Sequence, residues 1–126
     1  MNLHELHAAG SPARNLAQLY KALAHPVRLY LLYVLTQEEA CVCHLTCLLR
    51  RPQPYVSQQL SVLHEAGLVT DRRDAQHVYY RAAGAAVAEL IGMGQHILQL
   101  MGKHVELPAI GERPLPDCPC PRCRGE

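Results

Sequence analysis

The stretch Pro54-Tyr55-Val56-Ser57-Gln58-Gln59-Leu60-Ser61-Val62-Leu63-His64-Glu65-Ala66-Gly67-Leu68-Val69-Thr70 changes its period partway, and that change decides the fold. Up to Ala66 the apolar residues Val56, Leu60 and Leu63 recur at the spacing of one helix face, so the spacing predicts a helix from Pro54 to Ala66. Gly67 lies just past its end, where a glycine closes a helix in the left-handed conformation. From Leu68 the pattern alternates. Leu68–Thr70 and His77–Arg81 read as two short strands, with the charged run Asp71 to Gln76 as the tip between them.

Upstream, Arg51-Pro52-Gln53-Pro54 reads as a turn, and Cys43 to Arg50 as a short helix with Leu45, Leu48 and Leu49 on one face. Thr36 to Ala40 is a polar connector. Before it, His25-Pro26 ends one helix and starts another, whose stripe is Val27, Tyr30, Leu31, Val34 and Leu35. Ser11-Pro12 combines a capping hydroxyl with proline at the first helical position, and Leu16, Leu19, Tyr20 and Leu23 follow. Downstream, a last helix is expected from about Ala85 to Val105, weakened locally by Gly92, Gly94 and Gly102. The remainder holds five of the nine prolines. The expected division is a folded domain over residues 1–107 and a flexible Pro/Cys-rich tail over 108–126. There are no internal repeats.

The chain of 126 residues suffices for one core, and 49% of it is hydrophobic, with neither Trp nor Phe. A core made mainly of Leu, Ala and Val points to helices. No apolar run approaches the ~20 residues of a membrane helix, and the N-terminal residues carry no signal-like core. The expected location is therefore the cytoplasm, with no membrane partner.

Two helices around a short turn, followed by a β-hairpin, form a winged helix-turn-helix: mainly α with a β-hairpin wing. Its second helix enters the DNA major groove. The expected partner is double-stranded DNA. Gln53, Tyr55, Ser57, Gln58 and Gln59 are the expected groove residues, since amides and hydroxyls can address base edges. Arg72, Arg73 and His77 on the wing are expected at phosphates or the minor groove. Net charge is only +1, but residues 50–81 carry five Arg against three acids, so binding should be salt-sensitive without being driven by charge alone.

Six cysteines fall in two tight clusters, Cys41/Cys43/Cys47 and Cys118/Cys120/Cys123. Clustered thiols in a reducing compartment read as ligands or redox sensors rather than as a disulfide framework. Cys43 and Cys47 are four apart and share a helix face opposite Leu45 and Leu49. Cys41 would fall on the other side of a regular helix. Three thiols would then meet only if the first turn unwound, and that distortion is the expected means of weakening DNA contact.

The chain resembles the ArsR/SmtB metal-responsive repressors. The resemblance rests on Ala22-Leu23-Ala24-His25-Pro26-Val27-Arg28, Cys41-Val42-Cys43-His44-Leu45, Pro54 to Leu63, Glu65-Ala66-Gly67-Leu68-Val69 and Val78-Tyr79-Tyr80-Arg81, and it covers about residues 14–105. It implies a homodimer built on the first and last helices and repression of a two-fold symmetric operator, relieved by an inducer. Cys41-Val42-Cys43 looks like the family's thiolate site, which implies an inducing As(III), Sb(III), Cd(II), Pb(II) or Zn(II) ion and no organic cofactor. Cys47 or a tail cysteine is the third expected ligand. His44 replaces the acidic residue common after this motif in the family. It can serve as a ligand or as a base beside the thiols, but a surface histidine is the simpler expectation. The family's other site, on the last helix, would need ligands near Gly84 and Ala86, which cannot supply them, and His96 and His104 stand two turns apart.

The tail cysteines can complete the first site, bind an ion on their own or be redox-sensitive. Sensing of sulfide or oxidants, known for some members of the family, is the alternative for the whole protein. A thiol enzyme or a metal carrier is a remoter one, since no phosphate-cradling loop and no redox motif after a strand is present.

Overall fold

The computed structural model describes residues 2–110 and 118–125, with the side chain of Arg122 outside the description. Helix α1 (Leu3–His7) is held by a reciprocal capping box between Asn2 and Glu5, an element the hydrophobic pattern did not reveal. Helix α2 (Pro12–Leu23) starts at Ser11, whose Oγ accepts from the Arg14 N–H at 3.1 Å. Helix α3 (Pro26–Gln37) starts at His25, whose Nδ1 accepts from the Val27 N–H at 3.2 Å. Both starts follow the proline logic expected from the sequence.

Strand β1 (Ala40–Cys41) occupies what reads as a connector, and helix α4 (Val42–Leu49) follows without a break. Arg50, in the left-handed conformation at φ 53°, ends α4 and turns the chain into α5 (Gln53–Glu65). Helix α5 closes as expected. Gly67 takes φ 77°, its N–H donates to the His64 carbonyl at 3.0 Å, and the Leu68 N–H donates to the Leu63 carbonyl at 3.0 Å.

Strands β2 (Val69–Asp74) and β3 (His77–Ala82) form the hairpin, longer than expected because the tip shrinks to Ala75 and Gln76. The sheet order is β1-β3-β2, all antiparallel. Helix α6 (Ala85–Leu100) stops short of the expected Val105, because Gly102 at φ 78° closes it with the same bond pattern as Gly67.

Helix α3 is the centre of the core. Leu31, Leu32, Val34 and Leu35 are buried among Leu45, Val56, Leu60, Leu63, Val69 and Ile91. The chain beyond α6 stays on this core: Leu107 and Ile110 pack against it, and the Tyr30 hydroxyl donates to the Ala109 carbonyl at 3.2 Å. Farther on, α7 (Pro121–Arg124) and the preceding Cys118 and Cys120 lie against Cys41 and Tyr79. The segment 118–125 is thus docked on the domain, where the sequence led us to expect a flexible tail. No helix among the described residues is long and apolar enough to cross a membrane.

Gln59, expected in the DNA groove, is buried and accepts a hydrogen bond from Arg28 Nη1 at 3.1 Å. The helical period places it beside Leu60, on the flank of the core stripe. Arg28 also donates to the Ala22 carbonyl at 2.6 Å and to the Lys21 carbonyl at 3.3 Å. One guanidinium therefore joins the end of α2, α3 and α5. Gln59→Ala should lower the free energy of unfolding by about 1–3 kcal/mol in a urea titration, because a bond to a charged, part-buried donor is lost. A change well under that range would mean that the tie is dispensable.

Candidate functional site

The site is built on the short strand β1. Its register sets Ala40 opposite Tyr80 and Cys41 opposite Tyr79. Side chains alternate across a strand, so Ala40 points into the core and Cys41 to the other face of the sheet, alongside Tyr79. Arg72, opposite Tyr79 in the hairpin, and His77, two residues before it, share that face. Helix α4 begins directly after Cys41, which carries Cys43 back over the same face.

Cys41 is the N-cap of α4 in extended conformation, not part of its first turn. Its sulfur lies 2.6 Å from that of Cys43, and the helix is regular from Val42 onward. These two thiols therefore meet without unwinding, because Cys41 precedes the helix; the expected three-thiol meeting with Cys47 is not seen. His77 completes a first group: the sulfurs of Cys41 and Cys43 and a His77 ring nitrogen all lie within 4.8 Å of one another. A soft two-thiolate, one-imidazole set fits a thiophilic ion.

The tail supplies a second group. His44, Cys118, Cys120 and Cys123 also have their ligand atoms within 4.8 Å of one another. His44, expected on the surface, is 1% exposed. Position 44 lies one residue before Leu45, on the flank of α4 that the tail covers. Its Nδ1 lies 3.3 Å from Cys123 Sγ, and its Nε2 lies 3.7 Å from a carboxylate oxygen of Glu38. Cys47 packs against the cluster and belongs to neither group. None of the six cysteines is joined in a disulfide.

Thiol acidities diverge within this cluster. Burial, and then the hydrogen bond with Cys43, push the Cys41 pKa well above its ordinary value. Burial does the same to Cys118. Burial also acts upward on Cys120, but the Cys123 backbone N–H and the thiols of Cys118, Cys123 and Cys41 outweigh it and bring its pKa down to about 7.

The residues read as DNA contacts separate into two sets. Gln53, Ser57 and Gln58 are exposed on α5, Tyr55 is half-buried beneath Arg51, and Arg73 is exposed on β2. Arg72 and His77 turn the other way. Arg72 donates to Glu39 through Nε at 2.9 Å and Nη2 at 2.6 Å, and its guanidinium stacks 4.6 Å from the Tyr79 ring. The signal for this was available in the alternation of the strands, which puts positions 72, 77 and 79 on one face and 73 on the other. Arg50 and Arg51, both exposed at the turn before α5, were not among the expected contacts.

A helical pair, a docked recognition helix and a twisted hairpin define a winged helix-turn-helix DNA-binding regulator. The family model described as bacterial regulatory protein, arsR family, matches residues 25–71. The biofilm growth-associated repressor of Agrobacterium fabrum is 46% identical over 86 residues, which cover 68% of this chain and 74% of that protein. The arsenical resistance operon repressor of Escherichia coli is 42% identical over 65 residues, 51% of this chain and 56% of that one. The homodimeric winged helix-turn-helix DNA-binding domain of Mycobacterium bovis superposes with a TM-score of 0.67 at 31% identity, covering 76% of this chain and 89% of that one. The chain belongs to the arsR family of transcriptional regulators.

The thiol acidities fix a pH dependence for the reduced, metal-free protein. Between about pH 7 and 9 the folded Cys120 is ionised while the unfolded one, at the ordinary value of 9.0, still holds its proton, so stability rises with pH. Above about pH 9 the unfolded Cys41 and Cys118 ionise while the folded ones stay protonated, so stability falls. Thermal unfolding in chelator and reductant should show Tm rising and then falling across these limits, and Cys120→Ser should flatten the rising limb. An unchanged rise in Cys120→Ser would assign it to another group.

Proposed function

We propose that the chain is a homodimeric repressor that leaves its operator when a thiophilic metal or metalloid ion binds Cys41 and Cys43, with His77 as the third donor. The observation that carries this reading is the convergence of three donors from β1, α4 and β3 at the junction of the reading head and its wing. Helix α4 packs on α5, so closing the three donors onto one ion draws the wing strand and the helix behind the recognition helix together. Bases are read to within a fraction of a hydrogen-bond length, so a small displacement suffices to lose them.

The name of the Escherichia coli relative, an arsenical resistance operon repressor, supports an inducer that seeks thiolates. Two thiolates with an imidazole suit Cd(II) or Zn(II). As(III) or Sb(III) would prefer a third thiolate, and Pb(II) also accepts such soft donors. Dimerisation has its own support. Leu16 and Tyr20 on α2, and Met93, Ile97, Leu98 and Met101 at and beyond the end of α6, are large apolar side chains left exposed. These are the first long and last long helices, the two expected to carry the dimer, and the Mycobacterium bovis domain is homodimeric.

On DNA, Gln53, Ser57 and Gln58 face the groove with Tyr55 at its edge. Arg73 on the wing and Arg50 and Arg51 at the start of α5 address phosphates. Gln59 is buried and tied to Arg28, while Arg72 is held by Glu39 and His77 lies beside the cysteines. A second reading, sensing of oxidants or sulfide, is favoured by the 2.6 Å approach of Cys41 and Cys43. An oxidant that accepts two electrons and two protons would join them as a disulfide.

Fluorescence anisotropy on DNA from upstream of the protein's own gene, at fixed salt, tests the proposal. As(III), Cd(II), Pb(II) or Zn(II) should release the DNA, and Cys43→Ser should bind DNA equally well but no longer respond. Release by an oxidant or a persulfide and by none of the ions would replace the metal reading with the redox one. In the same assay Gln58→Ala should cost about 1–3 kcal/mol on the specific site. Arg73→Ala should weaken binding evenly across sequences and reduce the salt slope by about one. A sequence-dependent loss in Arg73→Ala would instead place that side chain at the bases.

A further inference from the structure

The second ligand group lies outside the sensor reading and does not depend on it. Three observations bear on it. First, His44, Cys118 and Cys120 are buried and Cys123 is partly so, as the ligands of a structural rather than an open site would be. Second, His44 points one ring nitrogen at the tail thiols and the other toward a carboxylate. Its Nδ1 faces Cys123 Sγ at 3.3 Å and its Nε2 faces the Glu38 carboxylate at 3.7 Å. At 3.7 Å the carboxylate is beyond hydrogen-bond reach, but it stands on the side where zinc-bound histidines commonly have one, and a small approach would let it accept from Nε2. Third, the docked segment has little else to hold it. Its buried side chains are Cys118 and Cys120, in no disulfide and packed against Cys41 and Tyr79, with no large aliphatic anchor among the described residues of 118–125.

We propose that His44, Cys118, Cys120 and Cys123 form a closed tetrahedral Zn(II) site that clips the C-terminal segment onto α4, separate from the Cys41/Cys43/His77 group. Three thiolates and one imidazole are a common structural zinc set. With Zn–S bonds of ~2.3 Å, tetrahedral geometry sets neighbouring sulfurs ~3.7 Å apart, so ligand atoms already within 4.8 Å need only a small contraction. Thiolate binding releases the thiol protons to solvent, and the soft set explains why these buried positions are cysteines rather than leucines. The clip closes a long loop through a few strong bonds. It also lays the segment over Cys41, which is only 2% exposed, so zinc at one site shields a ligand of the other.

The test uses the full chain, purified reduced, with metal content and Co(II) spectra as readouts and no DNA present. Wild type and Cys43→Ser should each retain one tightly held zinc per chain after dialysis. Co(II)-loaded Cys43→Ser should show the intense visible bands of tetrahedral sulfur-rich cobalt. The double variant Cys118→Ser/Cys123→Ser should lose that zinc and those bands while keeping its helical circular dichroism, and its Cys41 should be alkylated faster. Glu38→Gln should keep the site with zinc affinity lowered about ten- to a hundred-fold. Loss of the zinc in Cys43→Ser as completely as in the tail double variant would mean one shared site and would overturn the proposal. So would a wild type that holds no zinc when fully reduced. Failure of the sensor reading shows differently, as DNA that no ion releases from a protein whose zinc content is intact.

Discussion

The pairing of the two residues Ala40 and Cys41 with Tyr80 and Tyr79 is the constraint on which the cysteine face depends. Strand alternation then leaves no freedom. Ala40 must fill the core, and Cys41 must stand on the far face with Tyr79, Arg72 and His77. A shift of one residue would exchange the faces, burying a thiol in the core and leaving the cluster without its first member. Because α4 starts immediately after Cys41, the same pairing fixes where Cys43 and His44 enter the cluster. It thereby fixes the two directions they take, Cys43 toward the wing and His44 toward the tail.

Polar ties carry that constraint to the rest of the molecule. Arg28 joins the last carbonyls of α2 to Gln59 on α5, so the helix offered to the dimer and the helix offered to DNA are linked through one side chain. On the other face Arg72 grips Glu39 just before β1 and lies over Tyr79, which braces the wing against the strand that carries Cys41. The exposed pair His64 and Asp71, at 3.1 Å, adds a weaker link between α5 and the wing. These contacts tie the recognition helix to α2 and α3 and the wing to the strand that carries Cys41.

The thiols divide by role as well as by place. Burial pushes the Cys41 and Cys118 thiols toward the protonated form, whereas Cys120 is near ionisation at neutral pH.

The sequence by itself determined the elements whose signals are local. Ser11-Pro12 and His25-Pro26 start helices, Gly67 stops one, and the switch from helical to alternating period marks the wing. All stand where these signals put them, because a cap, a proline ring or a positive φ acts within a few residues of itself. The Cys41-Val42-Cys43 motif is visible in the sequence, but its close approach comes from Cys41 standing at the end of β1 instead of inside α4. Tertiary structure decided what depends on distant pairing. Strand β1 is too short to announce itself without Tyr79 and Tyr80 beside it. Gln59 became a buried tie because Arg28 lies across from it, and Arg72 and His77 share the cysteine face because the sheet's register puts them there. His44 met Cys118, Cys120 and Cys123 only because the chain returned over α4. Spacing along a sequence records which side of an element a residue occupies, but what lies against that side is set by the packing of the whole domain.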